Sequence, residues 1–174
     1  LIVIDDGSGD ATLERARQAL ENAPIPVRRI ARENRGVAAT LNDGIALARG
    51  EFIQLLHPDD RLRPRWIEAM LGALLGSDAE WGFARVAPID RSGQPCARAA
   101  DARAAAVMAL QDGIMMAPTP GLSMLRGNPA ISGGNLMFRK RLWETLGGLR
   151  DYRYTHHWDF CLRAALACEP VLVS

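Results

Sequence analysis

The stretch that decides the fold is LIVIDDGSGD, residues 1–10, in which four apolar residues run directly into an acidic turn. A short apolar run that ends in Asp and Gly predicts a buried strand over residues 1–4. The pattern then changes to a helical period over residues 11–22, and Pro24 and Pro26 end that helix. The chain therefore opens with a strand, an acidic turn and a helix.

The same alternation continues outward from this stretch. The pattern predicts strands over residues 27–31 and 51–56, a helix over 37–49 closed by Gly50, and a helix over 64–75 begun by Pro64. Alternating strands and helices with short links indicate an α/β fold, with a mixed, mainly parallel sheet flanked by helices. Ligands of such sheets bind at the carboxyl ends of the strands, where two acidic clusters lie.

The second half of the chain is less regular. We expect a strand over residues 81–90, an alanine-rich helix over 97–111, a loop over 115–129, and a strand over 131–139 that contains Gly133 and Gly134. Helices over 140–146 and 158–167 and a strand over 170–174 complete the pattern. One domain over residues 1–174 is expected, with residues 1–75 as a nucleotide- and metal-binding half and 76–174 as an acceptor-side half.

Composition excludes several classes of function. The 174 residues are 48% hydrophobic and 24% charged, and the net charge of +1 provides no general attraction to nucleic acid. No apolar run is long enough to span a bilayer. The three cysteines include no CxxC pair, and the spacing of Cys161 and Cys168 predicts small core residues, which fits a reducing cytoplasm. The chain begins and ends inside apolar strand-like runs, so we expect a fragment.

The acidic clusters carry the chemistry. Asp5 and Asp6 can accept hydrogen bonds from a base N–H or from ribose hydroxyls, or help to hold a cation. The alternatives are a solvated turn, with Ser8 or Asp10 capping the next helix, and a receiver-like phosphoacceptor site. In His57-Pro58-Asp59-Asp60, Asp59 is the first candidate for a divalent cation, and Asp60 is a candidate helix cap.

These motifs together resemble family 2 glycosyltransferases with the GT-A fold. The resemblance lies in VIDDGSGD, residues 3–10, and ENRGVAATLNDGIALARGEFIQLLHPDD, residues 33–60, and continues in ISGGNLMFRKRLWETLGGL, residues 131–149. It implies transfer of a sugar from a nucleotide-diphosphate sugar, with inversion, to a saccharide, lipid-linked or protein acceptor. It also implies that one strand precedes Leu1.

The resemblance also implies roles for individual residues. Asp5 and Asp6 would contact the base and ribose, and Gly36 and Asn42 would lie on the helix beside the nucleotide, with Gly44 in close packing. Asp59 would bind Mn²⁺ or Mg²⁺ as the second acid of an Asp-x-Asp motif whose first position is His57 here. Gly133 and Gly134 would let a sugar approach the backbone, or form a strand bulge. The basic run 139–141 would meet a phosphate or begin a solvated helix.

The pattern breaks at the expected catalytic base. The family's Glu-Asp pair is replaced by His156-His157, although Trp158, Asp159, Leu162 and Arg163 match the next part of the family pattern. Three alternatives remain: His157 is the base; Asp159 is the base, unless it caps the helix or pairs with Arg163; or the chain is a decayed module that binds sugar nucleotides or glycans. We expect a cytoplasmic protein, with any peripheral membrane association coming from segments outside these residues.

Overall fold

A computed structural model describes residues 1–96 and 101–173, which form a mixed α/β fold. The strands are β1 (Ile2–Asp5), β2 (Arg28–Ala31), β3 (Phe52–Gln54), β4 (Trp81–Ala84), β5 (Leu136–Arg139) and β6 (Val171–Val173). The helices are α1 (Thr12–Ala19), α2 (Val37–Leu47), α3 (Trp66–Leu75), α4 (Ala102–Met115), α5 (Pro120–Ser123), α6 (Lys140–Thr145) and α7 (His156–Ala167). The predicted succession of strands and helices in the first half is confirmed, with shifts at the element ends.

The strands form two sheets. β1 and β2 pair in parallel, and the other four strands lie in the order β3-β5-β4-β6. β5 runs antiparallel to both of its neighbours, whereas β4 and β6 are parallel. The mixed α/β architecture is confirmed, but the expected excess of parallel pairing is wrong for the described residues, because β5 enters between β3 and β4 in the opposite direction.

The core covers both faces of the larger sheet. Trp81 and Phe83 of β4 and Phe138 of β5 pack on one face, and their neighbour Met137 packs on the other against Met70 of α3. This alternation follows from the pleat of a strand, in which successive side chains point to opposite faces. The larger sheet is therefore held between helices, as the alternating sequence pattern predicts.

Helix α2 connects the two sheets. Gly44 lies against Ile4 of β1, whose Cδ1 is 3.3 Å from the position that a Cβ would occupy. The next residue, Ile45, belongs to the core of the larger sheet. The expected close packing at Gly44 is therefore confirmed, and α2 supports the turn after β1.

The second half differs from its predicted elements at several points. The strand from Trp81 ends at Ala84, and the predicted loop 115–129 contains α5, which begins at Pro120 and is capped by the Thr119 side chain. The predicted strand 131–139 begins only at Leu136, because residues 133–135 form a 3-10 turn. Helix α7 begins at His156 rather than at residue 158.

Two predicted elements extend beyond the described residues. The first part of the predicted helix 97–111, residues 97–100, lies outside them, as does residue 174 at the end of the predicted last strand. Within the described part of the chain, none of the helices has the length and apolar character needed to cross a bilayer. Cys161 is fully buried and Cys168 packs at the edge of the same cluster, so their predicted role in the core is confirmed.

Candidate functional site

Asp5 closes β1 with one carboxylate oxygen bound and the other unpaired. Its Oδ1 accepts hydrogen bonds from the backbone N–H of Gly7 (3.1 Å) and Ser8 (2.8 Å), which fixes the acidic turn. Gly7 has φ 87°, and a Cβ there would lie 2.9 Å from the backbone nitrogen of Asn34, so only glycine fits. The Oδ2 of Asp5 is buried and has no hydrogen-bond partner among the described residues. A buried carboxylate oxygen without a partner can accept a hydrogen bond from a ligand.

Asp6 holds the neighbouring loop. Its carboxylate accepts hydrogen bonds from Arg32 Nε (2.8 Å) and from the backbone N–H of Arg35 (3.1 Å) and Gly36 (2.9 Å). Burial disfavours the charged form, but these hydrogen bonds, led by that from Arg32, outweigh it and hold the pKa of Asp6 below its ordinary value. Asp6 therefore joins β1 to the start of α2.

Gly36 starts α2 in a backbone conformation that favours glycine. Its φ is 89°, its N–H is donated to Asp6, and its carbonyl accepts from the backbone N–H (3.0 Å) and the hydroxyl (2.9 Å) of Thr40. Both polar backbone groups of Gly36 are thus engaged. Gly36 therefore shapes the loop beside the acidic turn. Its predicted place beside a nucleotide stays a prediction.

Asn42 does not have a free side chain. Its Nδ2 donates to the carbonyl of Leu149 (2.8 Å), and its Oδ1 accepts from Leu149 N–H (2.9 Å) and Trp143 Nε1 (3.0 Å). These contacts fasten α2 to the segment around α6. Its amide is engaged by these protein groups, and the predicted role of Asn42 beside a nucleotide stays a prediction.

The segment after β3 offers one free carboxylate. Asp59 is exposed and makes no hydrogen bond or ion pair with any residue that the structure describes. Asp60 instead accepts a hydrogen bond from the hydroxyl of Ser132. The predicted cap by Asp60 is wrong, because α3 begins after Arg65 without a side-chain cap.

Three histidines meet beside this segment. The rings of His57 and His157 are in edge contact with centroids 5.0 Å apart, and those of His156 and His157 are 4.0 Å apart. Gly133 lies against the His157 ring, where a Cβ would overlap it. The end of β3, the turn before β5 and the start of α7 therefore converge at His157, and both glycines 133 and 134 lie in a 3-10 turn rather than in a strand bulge.

His157 is a buried and weakly basic imidazole. Burial, followed by the neighbouring His156 and His57, lowers its pKa from 6.5 to about 3. Its Nε2 is buried without a hydrogen-bond partner in the described chain. This nitrogen is chemically available, but in this state it is a poor proton acceptor at neutral pH.

Asp159 is held in ion pairs. Its carboxylate accepts from Arg163 Nε (2.8 Å) and from Arg150 Nη1 (3.2 Å), and Arg163 also donates to the carbonyls of Leu146 (2.7 Å) and Gly148 (2.8 Å). The alternative that Asp159 pairs with Arg163 is confirmed. Its commitment to two arginines argues against a role as the base.

The basic run 139–141, which begins at the last residue of β5, has a structural role. Arg139 pairs with Glu51 and stacks 4.5 Å from the Phe52 ring centroid, and Arg141 pairs with Glu80. Lys140 donates to the carbonyls of residues 46 (3.1 Å) and 48 (2.7 Å) at the end of α2. The alternative in which this run meets a phosphate is therefore not supported.

The two acidic clusters belong to different sheets. Asp5 and Asp6 follow β1 of the small sheet, whereas Asp59 follows β3 of the larger one. The expectation that they share one edge of a single sheet is wrong, because β1 and β3 are not paired. In the described ranges, no three side chains of His, Cys, Asp or Glu are grouped so that they could hold a metal ion.

Sequence reasoning missed two residues of this site. Arg32 fixes Asp6 and also reaches Asp43 and Thr40, and Ser132 binds Asp60. Arg32 directly follows β2, which pairs with β1, so its place beside Asp6 could have been inferred from parallel pairing. No local signal points to Ser132.

Comparison with known proteins identifies the group to which these features belong. The family model described as Glycosyl transferase family 2 matches residues 1–147. The chain is 32% identical over 90 residues to the uncharacterized glycosyltransferase YibD of Escherichia coli (strain K12), an alignment that covers 48% of this chain and 26% of that protein. It is 38% identical over 69 residues to a chondroitin synthase of Escherichia coli, covering 40% of this chain and 10% of that protein.

Solved structures agree in fold. Residues 1–349 of S. aureus TarS in complex with UDP superpose with a TM-score of 0.71 at 16% identity, over 99% of this chain and 48% of that chain. The same protein in complex with UDP-GlcNAc gives a TM-score of 0.67 at 14% identity, over 99% of this chain and 46% of that one. The chain thus spans about half of these solved chains and about a quarter or less of the two curated relatives.

Proposed function

Since the chain belongs to glycosyltransferase family 2, we propose that it transfers a sugar from a nucleotide-diphosphate sugar to a saccharide, lipid-linked or protein acceptor. The observation that carries this proposal is the unpaired, buried Oδ2 of Asp5 at the end of β1. Family membership sets aside the receiver-like alternative for the acidic turn.

Asp5 is the proposed contact for the nucleotide. A buried carboxylate oxygen without a donor costs free energy, roughly 1–3 kcal/mol or more for a charged group, and a base N–H or a ribose hydroxyl would remove that cost. The turn that carries Asp5 is held by its own Oδ1 and, across the loop, by Asp6 and Arg32. In this proposal, Asp6 supports the nucleotide contact by fixing the residues around Gly36.

Asp59 is the proposed protein ligand for Mn²⁺ or Mg²⁺. The described residues provide this exposed carboxylate but no group of three ligands. That fits a hard cation that is bound by one or two carboxylates and completed by substrate phosphates and water. When bound, the cation would neutralise charge that develops on the leaving diphosphate.

His157 is the remaining candidate for the base. Asp159 is engaged by Arg163 and Arg150, so it could accept a proton only at the expense of both pairs. A diphosphate bound near His157 would raise the pKa of its imidazole, because a nearby anion stabilises the charged form. In this proposal, donor binding moves His157 toward the range in which it can take the proton of an acceptor hydroxyl.

The second candidate function is a sugar-nucleotide or glycan-binding module without transfer. One observation favours it: neither candidate base readily accepts a proton in the free protein. Burial lowers the pKa of His157, and Asp159 is held in ion pairs with Arg150 and Arg163. The two candidates share the proposed nucleotide contact at Asp5 and differ in whether the sugar is transferred. The free cysteines fit a cytoplasmic location for either.

Release of nucleotide from a panel of UDP, GDP and dTDP sugars, measured with Mn²⁺ and with a mixture of oligosaccharide acceptors, tests the proposal. We expect release by the wild type and its loss in Asp59→Asn and His157→Gln. Asp78→Asn is the matched control, because Asp78 is exposed and precedes the amino end of β4. Binding of a nucleotide sugar without release would favour the module, and absence of both would refute the nucleotide site.

A further inference from the structure

The loop 150–155, which leads into α7, carries both tyrosines of the chain. Tyr154 is 78% exposed and Tyr152 is 45% exposed. Both aromatic rings are therefore exposed on one short loop, and rings with an apolar body and a polar tip are enriched at binding surfaces.

The backbone of this loop is anchored although its rings are exposed. Arg150 pairs with Asp159 of α7 (3.2 Å), and Tyr152 N–H donates to the carbonyl of Arg150 (2.8 Å). The carbonyl of Tyr152 also contacts His156 Nδ1 at 3.0 Å. Because two of these contacts tie the loop to α7 and the third lies within the loop, the tyrosines are presented from a defined position, which lowers the entropy cost of binding.

Arg153 adds a polar group to the aromatic surface. Its guanidinium carbon lies 5.0 Å from the ring centroid of Tyr154, within the range of a cation–π contact. The contact places the guanidinium and its N–H donors over one face of the Tyr154 ring. The loop therefore combines flat apolar faces with hydrogen-bond donors, which is the combination that a pyranose ring requires, since its C–H groups form apolar faces and its hydroxyls lie around the rim.

A short series of contacts links the loop to the proposed transfer site. His156, which contacts Tyr152, packs on His157 with ring centroids 4.0 Å apart, and His157 in turn meets His57 at 5.0 Å. His57 belongs to the segment that carries Asp59. A ligand on the tyrosines would thus lie on the His157 side of the site.

We propose that Tyr152 and Tyr154 form a platform on which a pyranose ring of a saccharide acceptor stacks, with Arg153 donating to its hydroxyls. This inference rests on the proposed function, because the platform is assigned to the acceptor of the same site. It selects a glycan over a protein as the group that is presented to His157.

Tyrosine-labelled protein provides a direct test. Because the chain has two tyrosines, ring-labelled protein should show two tyrosine spin systems, which Tyr152→Phe and Tyr154→Phe assign. The probes are tetrasaccharides of glucose, of N-acetylglucosamine and of mannose. We expect at least one of them to shift both ring signals, and Tyr154→Ala to weaken its binding about tenfold, while Tyr154→Phe stays within about twofold because the stacking face is kept.

Leu166→Ala is the matched control, since Leu166 is 89% exposed on α7 and outside the loop. Failure of every tetrasaccharide to shift either ring would overturn the platform. Shifts produced instead by phosphatidylglycerol vesicles, or by raising the protein concentration, would reassign the tyrosines to a membrane or to self-association and would also overturn it.

UDP binding, measured by calorimetry on the same samples, separates this inference from the proposed function. UDP binding without saccharide binding would refute the platform alone. Saccharide binding without binding of UDP or another nucleoside diphosphate would refute the proposed transfer and leave a glycan-binding site at the tyrosines.

Discussion

The rings of His57 and His157 meet edge to face at an interplanar angle of 87°, with centroids 5.0 Å apart. His57 follows β3 and His157 lies in the first turn of α7, so the contact joins the two halves of the chain. The family resemblance of the sequence implies acidic residues at both positions. Histidines therefore replace carboxylates on both sides of one contact, which makes this site less negative than the pattern predicts.

The first prediction concerns the pH dependence of stability. The pKa of His157 is about 3 in the folded chain and near 6.5 when unfolded, so the unfolded chain takes up the proton first. Stability is then full above about pH 6.5 and falls toward lower pH, with a slope that approaches about 1.4 kcal/mol per pH unit. Urea unfolding between about pH 7 and 5 measures this slope, above the range in which most carboxylates titrate.

His157→Gln should flatten that profile, because the titrating group is gone. His57→Gln should keep most of it, since burial is the main cause of the lowered pKa of His157. An unchanged slope in His157→Gln would show that another group is responsible for the acid sensitivity.

The second prediction concerns Gly133. Alanine at this position would place a methyl group on the His157 ring, and overpacking of this kind costs about 1–3 kcal/mol in the free energy of unfolding. Gly72→Ala is the control, because a Cβ there meets nothing within 4 Å and lies within α3, where alanine is favoured by about 0.5–1 kcal/mol. The melting temperature should therefore fall in Gly133→Ala and rise in Gly72→Ala. A Gly133→Ala protein as stable as wild type would show that the His157 ring does not lie against Gly133.

The third prediction concerns Asp6. Its pKa is lowered in the folded chain, so its charged form stabilises the fold above the unfolded pKa of about 3.9, and this contribution disappears as the pH falls through the folded value. Asp6→Asn should cost about 1–3 kcal/mol at neutral pH, and the difference from wild type should disappear as the pH falls through the folded pKa of Asp6. Asp59→Asn, which removes no hydrogen bond or ion pair with a described residue, should leave the free energy of unfolding unchanged. Equal effects of the two variants would contradict the structural role of Asp6.

The fourth prediction concerns Asn42. Asn42→Ala removes three hydrogen bonds and leaves Leu149 N–H and Trp143 Nε1 without their acceptor, at a cost of about 2–4 kcal/mol. If the variant folds, nucleotide affinity should change less than stability. A folded Asn42→Ala protein of normal stability with lost nucleotide binding would restore the ligand-facing role expected from sequence.

Local features of the fold and the site were predictable from sequence. Apolar periodicity and turn residues located the strands and helices of the first half, because these signals act within a few residues. The pairing of Asp159 with Arg163 follows from their spacing of four in a helix. The close packing at Gly44 was likewise expected.

Long-range relationships were not predictable in the same way. The sequences of β3, β4 and β5 do not indicate that β5 lies antiparallel between the other two strands. The excess of parallel pairing was therefore wrongly expected. The bonds of Asn42 to Leu149 and of Asp60 to Ser132 join residues far apart in sequence. These contacts decide which polar residues are free for a ligand, and a single sequence does not contain that information.

The most direct test of the account is the affinity of the chain for UDP, GDP and dTDP, measured by calorimetry with Mn²⁺ on wild type and Asp5→Asn. The amide oxygen that this substitution introduces can still accept from Gly7 and Ser8, so the turn should survive while the free carboxylate oxygen is lost. We expect binding of at least one nucleotide and a weakening of about tenfold or more in Asp5→Asn, with unchanged binding in Asp78→Asn. Equal nucleotide affinity in wild type and a folded Asp5→Asn protein would contradict the central claim that Asp5 holds the nucleotide.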